Sequence, residues 1–548
     1  MTDKLKSTIS RRAVIAALGG VAAISAARVH AQGMGGKGMG GMNMGGMNMG
    51  GMNMGDMRGD SEPATIASGT DYSRALIVPA QLTGTPAADG SLRYDLEIGT
   101  AKAELLPGLV TPVLAYNGSV PGPTLRAPRG KKLHVHITNH LEETTTVHWH
   151  GAHVPAAQDG GTHNLIAVGG TLDNHFSLDQ PGASLWYHPH PDGRTGAQVY
   201  AGLAGLLLVD DGEDAKLGLP TRYGIDDLPI ILQDRKITAS GELDYMPTMM
   251  DAMGMKGDHL LVNGRERPFV QVPAGWVRLR VLNGSNARLY TLGFADDRRF
   301  HVIAGDASLL AAPVAMTRLL LAPAERVELM VDVSNDSGKT LELMNYGLKG
   351  MDRLSSMAMD FDAIDAHASG LMQLRIGAAD GKGGTLPAHL IDLPEPLSTT
   401  TKRRFTLDDR MGGMMGGGMG GMAGMAKMGG MGGMAKGMFL INGQSMDMNR
   451  IDVKVKLGTT EIWEISNTAH MAHPFHFHGT SFRILSRNGA PPPAHEQGFK
   501  DVVLVRQDET VQVVARFDQP ADADHPFMFH CHILEHEDAG MMGQFTVA

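Results

Sequence analysis

The stretch Val277-Arg278-Leu279-Arg280-Val281-Leu282-Asn283 alternates apolar with polar side chains and ends in an asparagine. Successive side chains of a β-strand point to opposite faces, so the alternation predicts a half-buried strand rather than a helix. An Asn-Gly dipeptide, which favours a tight turn, lies ahead of it at residues 263–264. The same order occurs in two other parts of the chain: Asn117-Gly118 ahead of Ile137-Thr138-Asn139, and Asn442-Gly443 ahead of Ile465-Ser466-Asn467. Three copies predict an all-β protein of three tandem homologous domains, each an antiparallel β-sandwich of about 150 residues.

Composition limits the classes of partner. The chain has 548 residues and a formal net charge of −10 at pH 7. Nucleic-acid binding needs clustered Lys and Arg, so we expect no nucleic-acid partner, and metal cations suit the charge better. The only cysteine is Cys531, which excludes an internal disulfide. A free thiol in an exported protein is open to oxidation unless something binds it.

The N-terminal segment has the features of an export signal. Ser10-Arg11-Arg12 precedes an apolar run that ends at Ala27, and Val29-His30-Ala31 provides a small-residue cleavage site. We therefore expect residues 1–31 to be a twin-arginine signal and the mature protein to be periplasmic. No stretch reaches the roughly 18 apolar residues that a membrane span requires. The mature form is accordingly expected to be a soluble monomer that is not bound to a membrane.

Two low-complexity tracts rich in Gly and Met cover residues 34–57 and 411–438. Thioether sulfur is a soft ligand that selects Cu(I), so such tracts suit the collection of cuprous ion, and the alternative is that they are flexible linkers. The predicted organisation follows: a signal at 1–31, a Met/Gly-rich tail at 32–62, and sandwich domains at 63–213, 226–380 and 400–548, the last carrying the insertion 411–438.

Histidines occupy matching positions in the first and third repeats. Pairs of the form His-X-His begin nine residues after the closing asparagine in both, and a second pair follows further on in both: His148 and His150 with His188 and His190, and His476 and His478 with His530 and His532. The middle repeat has Leu292 and Phe294 at the first of these positions. Side chains two apart on a strand share a face and can point at one metal cluster. The pattern predicts a metal site shared by the first and third domains.

A fifth pair, His134 and His136, has no histidine at the matching positions of the other repeats. About one such pair is expected by chance in a chain of this length with 24 histidines. We interpret this pair as part of a solvated strand face.

Cys531 lies between His530 and His532, so its side chain points to the opposite face and must bind a different metal ion. Two His, one Cys and a distant Met form the blue-copper geometry. His473, His536 and Met541 supply the other three ligands. The first domain has Pro189 and Leu203 at the positions of Cys531 and Met541, and therefore cannot form this site.

Four segments of the chain resemble the copper-binding segments of three-domain multicopper oxidases: His148-Trp149-His150-Gly151, His188-Pro189-His190, the run from His473 to Gly479, and the run from His530 to Met542. The resemblance implies cupredoxin-like domains and four copper ions, one of type 1, one of type 2 and two of type 3. It implies that His148 and His476 bind the type 2 copper. It assigns six histidines to the type 3 pair: His150, His188, His190, His478, His530 and His532.

Two acidic residues, Asp159 and Glu537, occupy positions where similar oxidases keep carboxylates as proton donors for making water from dioxygen. The alternative is that either is a plain surface charge. The resemblance further implies oxidation of Cu(I) at an outer copper beside the blue site, with the Met-rich insertion over its entrance. Four residues are candidates for that outer copper: Met471, His470, Asp408 and Met411.

Three functions compete at this point. The first is a cuprous oxidase for copper tolerance, using Cu(I) and dioxygen, and the second is a laccase that oxidises phenols. The third is not an enzyme: a copper-sequestering protein or an export-assembly protein on an oxidase fold. The complete ligand set argues against the third, because a protein without turnover has no need for Cys531 between two cluster ligands.

Overall fold

The computed structural model describes residues 72–246, 249–352, 354–355, 363–410 and 437–548. The predicted signal and tail, and residues 411–436 of the insertion, lie outside these ranges. Over the described residues β-strands are the main regular secondary structure, and they form six sheets. Within the same ranges, no helix has the length and apolar character needed to cross a membrane.

The first sandwich consists of two five-stranded sheets. One sheet contains β2 (Thr85–Pro86), β3 (Leu92–Leu106), β4 (Leu109–Tyr116), β6 (Lys132–Asn139) and β8 (Thr171–Ser177). The other contains, in spatial order, β1 (Gln81–Leu82), β5 (Thr124–Pro128), β10 (Gly205–Asp210), β9 (Ala183–His188) and β7 (His148–His150).

The second sandwich has one seven-stranded and one five-stranded sheet. The larger contains, in spatial order, β13 (Arg265–Glu266), β12 (His259–Val262), β11 (Asp227–Arg235), β15 (Trp276–Asn283), β20 (Arg326–Asp332), β17 (Phe300–Ala304) and β18 (Leu309–Met316). The smaller contains β14 (Phe269–Val272), β22 (Ser369–Ile376), β21 (Thr340–Asn345), β16 (Tyr290–Phe294) and β19 (Leu319–Leu321).

The third sandwich again has two five-stranded sheets. The first contains β24 (Phe439–Ile441), β23 (Lys402–Asp409), β26 (Thr459–Asn467), β30 (Thr510–Phe517) and β28 (Phe482–Arg487). The second contains β25 (Val453–Val455), β32 (Met542–Val547), β31 (Phe527–Cys531), β27 (His473–Phe477) and β29 (Val502–Val505).

The helices are short and connect strands. They are α1 (Ala156–Asp159), α2 (Thr195–Tyr200), α3 (Glu213–Lys216), α4 (Ala363–Ala366) and α5 (Leu534–Asp538), with 3₁₀ turns at Met249–Met253 and Ala494–Glu496. Helix α5 directly follows β31, and it therefore brings two of the sequence-predicted site residues, His536 and Glu537, back towards that strand.

Each sandwich encloses its own apolar core. The first core includes Leu96 and Leu185, the second includes Leu279 and Phe294, and the third includes Trp463 and several phenylalanines. Full burial of one such side chain is worth roughly 1.5–3 kcal/mol. The prediction of an all-β chain with three tandem cupredoxin-like sandwiches is confirmed. Most neighbouring strands are antiparallel, and each sheet also contains a parallel pair, such as β3 with β6.

The repeated asparagines have the same role in each domain. Asn117, Asn263 and Asn442 adopt positive φ values of 50°, 49° and 55°, as an Asn-Gly turn requires. Their side chains accept a backbone N–H from a neighbouring strand, 2.7–2.8 Å away. The closing residues Asn139, Asn283 and Asn467 each accept the N–H two residues later and donate to a carbonyl of the following loop. The repeat therefore marks the same turns and strand ends three times.

The strand β15, predicted to be half-buried, is buried on both faces. Arg280 donates to Asp227 at 2.6 Å and to Glu328 at 2.9 Å, and Ser184 of the first sandwich donates to Glu328 at 2.7 Å. The polar face of this strand thus packs against the first sandwich instead of facing water. Burial of these charges is tolerated because each is paired with an opposite charge.

Candidate metal centres

Eight histidines converge between the first and third sandwiches, and all of them are buried: His148, His150, His188, His190, His476, His478, His530 and His532. We call this group the histidine cluster. Imidazole rings of the two sandwiches stack in pairs, with ring centroids 3.9 Å apart for His148 and His478 and 3.8 Å apart for His150 and His476. The two domains therefore contribute to one site, as the register of the histidines predicts.

Strand pairing explains the convergence. In the first sandwich β7 pairs with β9, which sets His148 opposite His188. In the third sandwich β27 pairs with β31, which sets His476 opposite His530. Side chains two residues apart on an extended chain share a face. The second histidine of each His-X-His motif therefore lies on the same side of the sheet as the first.

In six of the eight rings one nitrogen is fixed by an acceptor outside the cluster, the exceptions being His190 and His532. The Nδ1 atoms of His148, His476 and His188 donate to the carbonyls of Asp159, Asp501 and Pro189, at 3.0, 2.7 and 2.8 Å. The opposite nitrogens of these three rings have no hydrogen-bond partner among the described residues. A buried nitrogen without a partner is costly, so the cluster suits bound metal ions that accept those lone pairs.

The remaining rings also face inwards. The Nε2 atom of His530 lies 3.2 Å from Nε2 of His190 and 3.3 Å from Nε2 of His478. Burial lowers the pKa of His190 to about 4, and it also lowers the pKa of His478 well below its ordinary value. These two imidazoles are therefore neutral at neutral pH, which is the form that binds metals.

A second, smaller group surrounds Cys531. The Sγ atom lies 3.4 Å from Nδ1 of His473 and 3.6 Å from Nδ1 of His536, and these two nitrogens are 3.3 Å apart. Met541 is fully buried in the same apolar core as Cys531. We call these four residues the cysteine centre. Two imidazoles, one thiol and a thioether are the donor set of a blue-copper site.

The surroundings of Cys531 affect both the protonation of its thiol and the orientation of the His536 ring. Burial raises the pKa of the Cys531 thiol well above its ordinary value. The thiol would thus stay protonated at neutral pH, whereas a bound cation holds a coordinating thiol as the thiolate. Phe439 stacks on the His536 ring, with centroids 3.6 Å apart, and the Met253 carbonyl accepts from its Nε2 at 3.1 Å. These contacts fix the ring with Nδ1 towards the sulfur.

Both sequence-predicted carboxylates contact the histidine cluster. Asp159 Oδ2 accepts from Nδ1 of His478 at 2.7 Å, and Glu537 Oε2 lies 3.2 Å from Nδ1 of His530. Asp159 is 2% exposed and Glu537 is 1% exposed, so neither is a surface charge.

Asp501 is a further buried carboxylate at the cluster, and the sequence reasoning missed it. Its Oδ1 accepts from Nε2 of His150 at 3.1 Å, and its carbonyl accepts from His476. Arg326, from the middle sandwich, donates to the same carboxylate at 2.6 Å. The middle sandwich, which contributes no histidine to the cluster, therefore supports it through the ion pair of Arg326 with Asp501. Only the docking of the domains reveals this contact, since no histidine spacing marks Asp501.

Some of the candidates for an outer copper lie near the cysteine centre. Met471 is half-buried against the core that contains Cys531. His470 is 41% exposed, and its Nδ1 lies 2.8 Å from Asp409, which is 1% exposed. The carboxylate that contacts His470 is thus Asp409 and not its neighbour Asp408, because successive strand residues point to opposite faces. Met411 lies outside the described residues.

Comparisons with known proteins show which family the chain resembles. Models of the family described as multicopper oxidase match residues 97–214 and 424–548. The chain is 35% identical over 463 residues to multicopper oxidase mco of Staphylococcus haemolyticus, covering 84% of this chain and 89% of the relative. It is 36% identical to cell division protein FtsP of Xenorhabdus nematophila, covering 79% and 85%.

One solved structure is similar to most of this chain. It is the bacterial laccase-like multicopper oxidase CueO of Ochrobactrum sp., described as having oxidase activity towards lignin model compounds and lignosulfonate, with 38% identity and a TM-score of 0.76. The similarity covers 86% of this chain and all of that one. Taken with a buried histidine cluster and an adjacent centre of two histidines and a cysteine, these relatives establish that the chain belongs to the multicopper oxidase family.

Proposed function

We propose that this protein is a periplasmic cuprous oxidase, which couples the one-electron oxidation of Cu(I) to the four-electron reduction of dioxygen to water. The observation that carries the proposal is the position of Cys531. Its side chain belongs to the cysteine centre, while the side chains of His530 and His532 belong to the histidine cluster. Two peptide bonds therefore join the site that would accept electrons to the site that would use them.

We assign four copper ions to these donors. His473, Cys531, His536 and Met541 would hold the type 1 ion, and His148 and His476 the type 2 ion. The other six cluster histidines would hold the type 3 pair. Copper bound at these positions supplies one-electron redox chemistry, taking single electrons at the cysteine centre and delivering them to dioxygen at the cluster.

Making water from dioxygen consumes protons as well as electrons. Asp159 and Glu537 are buried and lie within 3.2 Å of cluster imidazoles. A buried carboxylate at that distance can pass a proton inwards, so we assign both as proton donors. Asp501 is a positioning residue, since it fixes His150 and is itself held by Arg326.

The substrate preference rests on the surroundings of the cysteine centre. The insertion 411–438 leaves β23 and returns in β24, where Asp409 pairs with Phe439, the residue stacked on His536. Its thioethers, Met471 and His470 would together offer soft or borderline donors to cuprous ion beside the type 1 site. We therefore assign Cu(I), rather than a phenol, as the main reductant.

Substitution of His470 by alanine is expected to weaken Cu(I) oxidation by raising its KM at least severalfold, with little change in phenol oxidation. The imidazole would help to bind the arriving ion, whereas a phenol does not need a metal ligand. The measurement is the KM and kcat for each substrate with copper-loaded protein. His525→Ala is the matched control, because His525 is 40% exposed and also faces an aspartate, Asp522. Equal losses with both substrates would contradict an outer copper at His470.

Removal of residues 411–436 is expected to raise phenol oxidation and to lower Cu(I) oxidation at micromolar copper. The deletion joins Arg410 to Gly437, and the Arg410 N–H already bonds the Met438 carbonyl at 2.9 Å, so the fold should tolerate it. Removal of the tail 34–57 is the control, since it has similar composition and should reduce copper capture without changing phenol access. If the insertion deletion left the ratio of the two activities unchanged, the tract would be a linker.

A laccase acting on phenols is the second candidate. It is favoured by the relative described as active on lignin model compounds. A protein without oxidase activity is the third, since some relatives are named cell division protein FtsP. The complete donor set supports an oxidase over this third function, and the two oxidase functions are separated by comparing Cu(I) and phenol as substrates of the same preparation.

A further inference from the structure

A cavity of about 360 Å³ lies between the middle and third sandwiches. Its apolar wall combines residues of both: Met316 and Leu320 from the middle sandwich, and Pro493 and Leu504 from the third. Cavities of this size at domain interfaces, with a few polar groups among apolar ones, are typical small-molecule sites. No residue of the histidine cluster or the cysteine centre lines it. We call it the β19–β29 cavity, after the strands that carry Leu320 and Leu504.

The acidic side chains of the cavity are already paired. Arg487 donates two hydrogen bonds to Glu496, at 2.7 and 3.1 Å, and a third to Glu509, at 3.0 Å. Lys500 lies 3.1 Å from the third carboxylate, Glu325. Each carboxylate thus has a cationic partner, and a cationic ligand would have to displace one of them.

The polar groups left over are hydrogen-bond donors. Among the described residues, the Arg506 side chain has no ion-pair partner and makes a single long hydrogen bond, 3.4 Å to the Asp352 carbonyl. In the same part of the chain the His495 ring has no hydrogen-bond partner, and burial lowers its pKa, so the ring is neutral and keeps one N–H to donate. Asn488 accepts the Thr510 N–H at 2.8 Å through its oxygen, which leaves its amide nitrogen as a third donor. The cavity therefore suits a ligand that accepts hydrogen bonds.

We infer that the β19–β29 cavity binds a small organic carboxylate, whose charged group lies against Arg506 and whose apolar part lies against Leu320 and Leu504. A guanidinium presents two parallel N–H donors that match a carboxylate, which favours this anion over a neutral acceptor. The three carboxylates of the cavity are balanced by three cations, Arg487, Lys500 and Arg506, so an arriving anion meets no excess of negative charge. The inference does not depend on the proposed oxidase function.

The test is binding of hydrocinnamate to the full copper-loaded protein, measured by isothermal titration calorimetry. This probe has a carboxylate and an apolar ring but no phenolic hydroxyl, so it is not a phenol substrate. Wild-type protein is expected to bind one equivalent. Arg506→Gln should weaken that binding at least about tenfold, because hydrogen bonds between charged groups are the strong ones. The neutral amide of the same acid should also bind wild-type protein at least about tenfold more weakly than hydrocinnamate, for the same reason.

The matched control is Arg299→Gln. Arg299 is exposed on the middle sandwich, has no ion pair within the described ranges and lies outside the cavity, so this variant removes the same charge and should bind as wild type. The fold should survive Arg506→Gln, because the backbone N–H of residue 506 keeps its hydrogen bond to Glu509 at 2.8 Å. Three results would each overturn the inference: no saturable binding by wild-type protein, equal binding by wild type and Arg506→Gln, or inorganic phosphate bound as tightly as hydrocinnamate.

Discussion

Replacement of Cys531 by serine is expected to remove the intense visible absorption of the copper-loaded protein and to reduce oxidation of both Cu(I) and phenols to background. A hydroxyl is a hard, weakly acidic donor and cannot replace a soft thiolate at the type 1 copper. The fold should survive, because serine is close to cysteine in size and the strand β31 keeps its pairing. The measurements are the visible spectrum, oxygen uptake with each substrate, and far-UV circular dichroism.

Met541→Leu is the matched control for this substitution. Leucine occupies the corresponding position in the first domain, Leu203, and the exchange of Met for Leu in a core costs less than about 1.5 kcal/mol. Because an axial methionine is a weak ligand, this variant should keep its colour and its activity within about tenfold. Oxidase activity retained by Cys531→Ser would contradict the assignment of the cysteine centre as the electron acceptor.

The histidines could be located from the sequence because they depend on a short-range rule. A strand has a side-chain period of two, and a repeated domain places the same strand at the same distance from the same turn. Counting from Asn139 and Asn467 therefore identifies pairs that the structure brings into one cluster. Cys531 follows from the same rule, since a residue between two cluster histidines must point to the other face.

Contacts between domains could not be found in this way. Arg278 and Arg280 alternate with apolar residues as on a half-exposed strand, yet docking of the first sandwich buries them. Asp501 contacts the cluster and is held by Arg326, which is 175 residues away in the chain. Ion pairs between domains depend on how the folded domains dock. The pattern of residue types along one strand carries no information about that docking.

The same distinction applies to His134 and His136. Their spacing is identical to that of the cluster pairs, and only the lack of a register partner separates them in the sequence. The structure adds that Asp173 lies across the strand pair, 2.8 Å from both imidazoles. One motif thus occurs in two settings, buried between domains and partly exposed on the face of a sheet.

Replacement of His188 by alanine is expected to leave the visible absorption of the type 1 copper intact and to abolish dioxygen reduction. The ring of His188 packs against His148 and His532, with centroids 5.4 Å from both, and its Nε2 faces the cluster without a partner among the described residues. Its loss removes one proposed type 3 ligand, whereas the three closely spaced donors of the cysteine centre are untouched. Under anaerobic conditions a reductant should still bleach the variant, and admission of air should fail to restore the colour. His301→Ala, in the middle sandwich, controls for loss of a partly buried histidine and should behave as wild type. If His188→Ala lost its colour while still consuming dioxygen, the division of ligands between the cluster and the cysteine centre would be wrong.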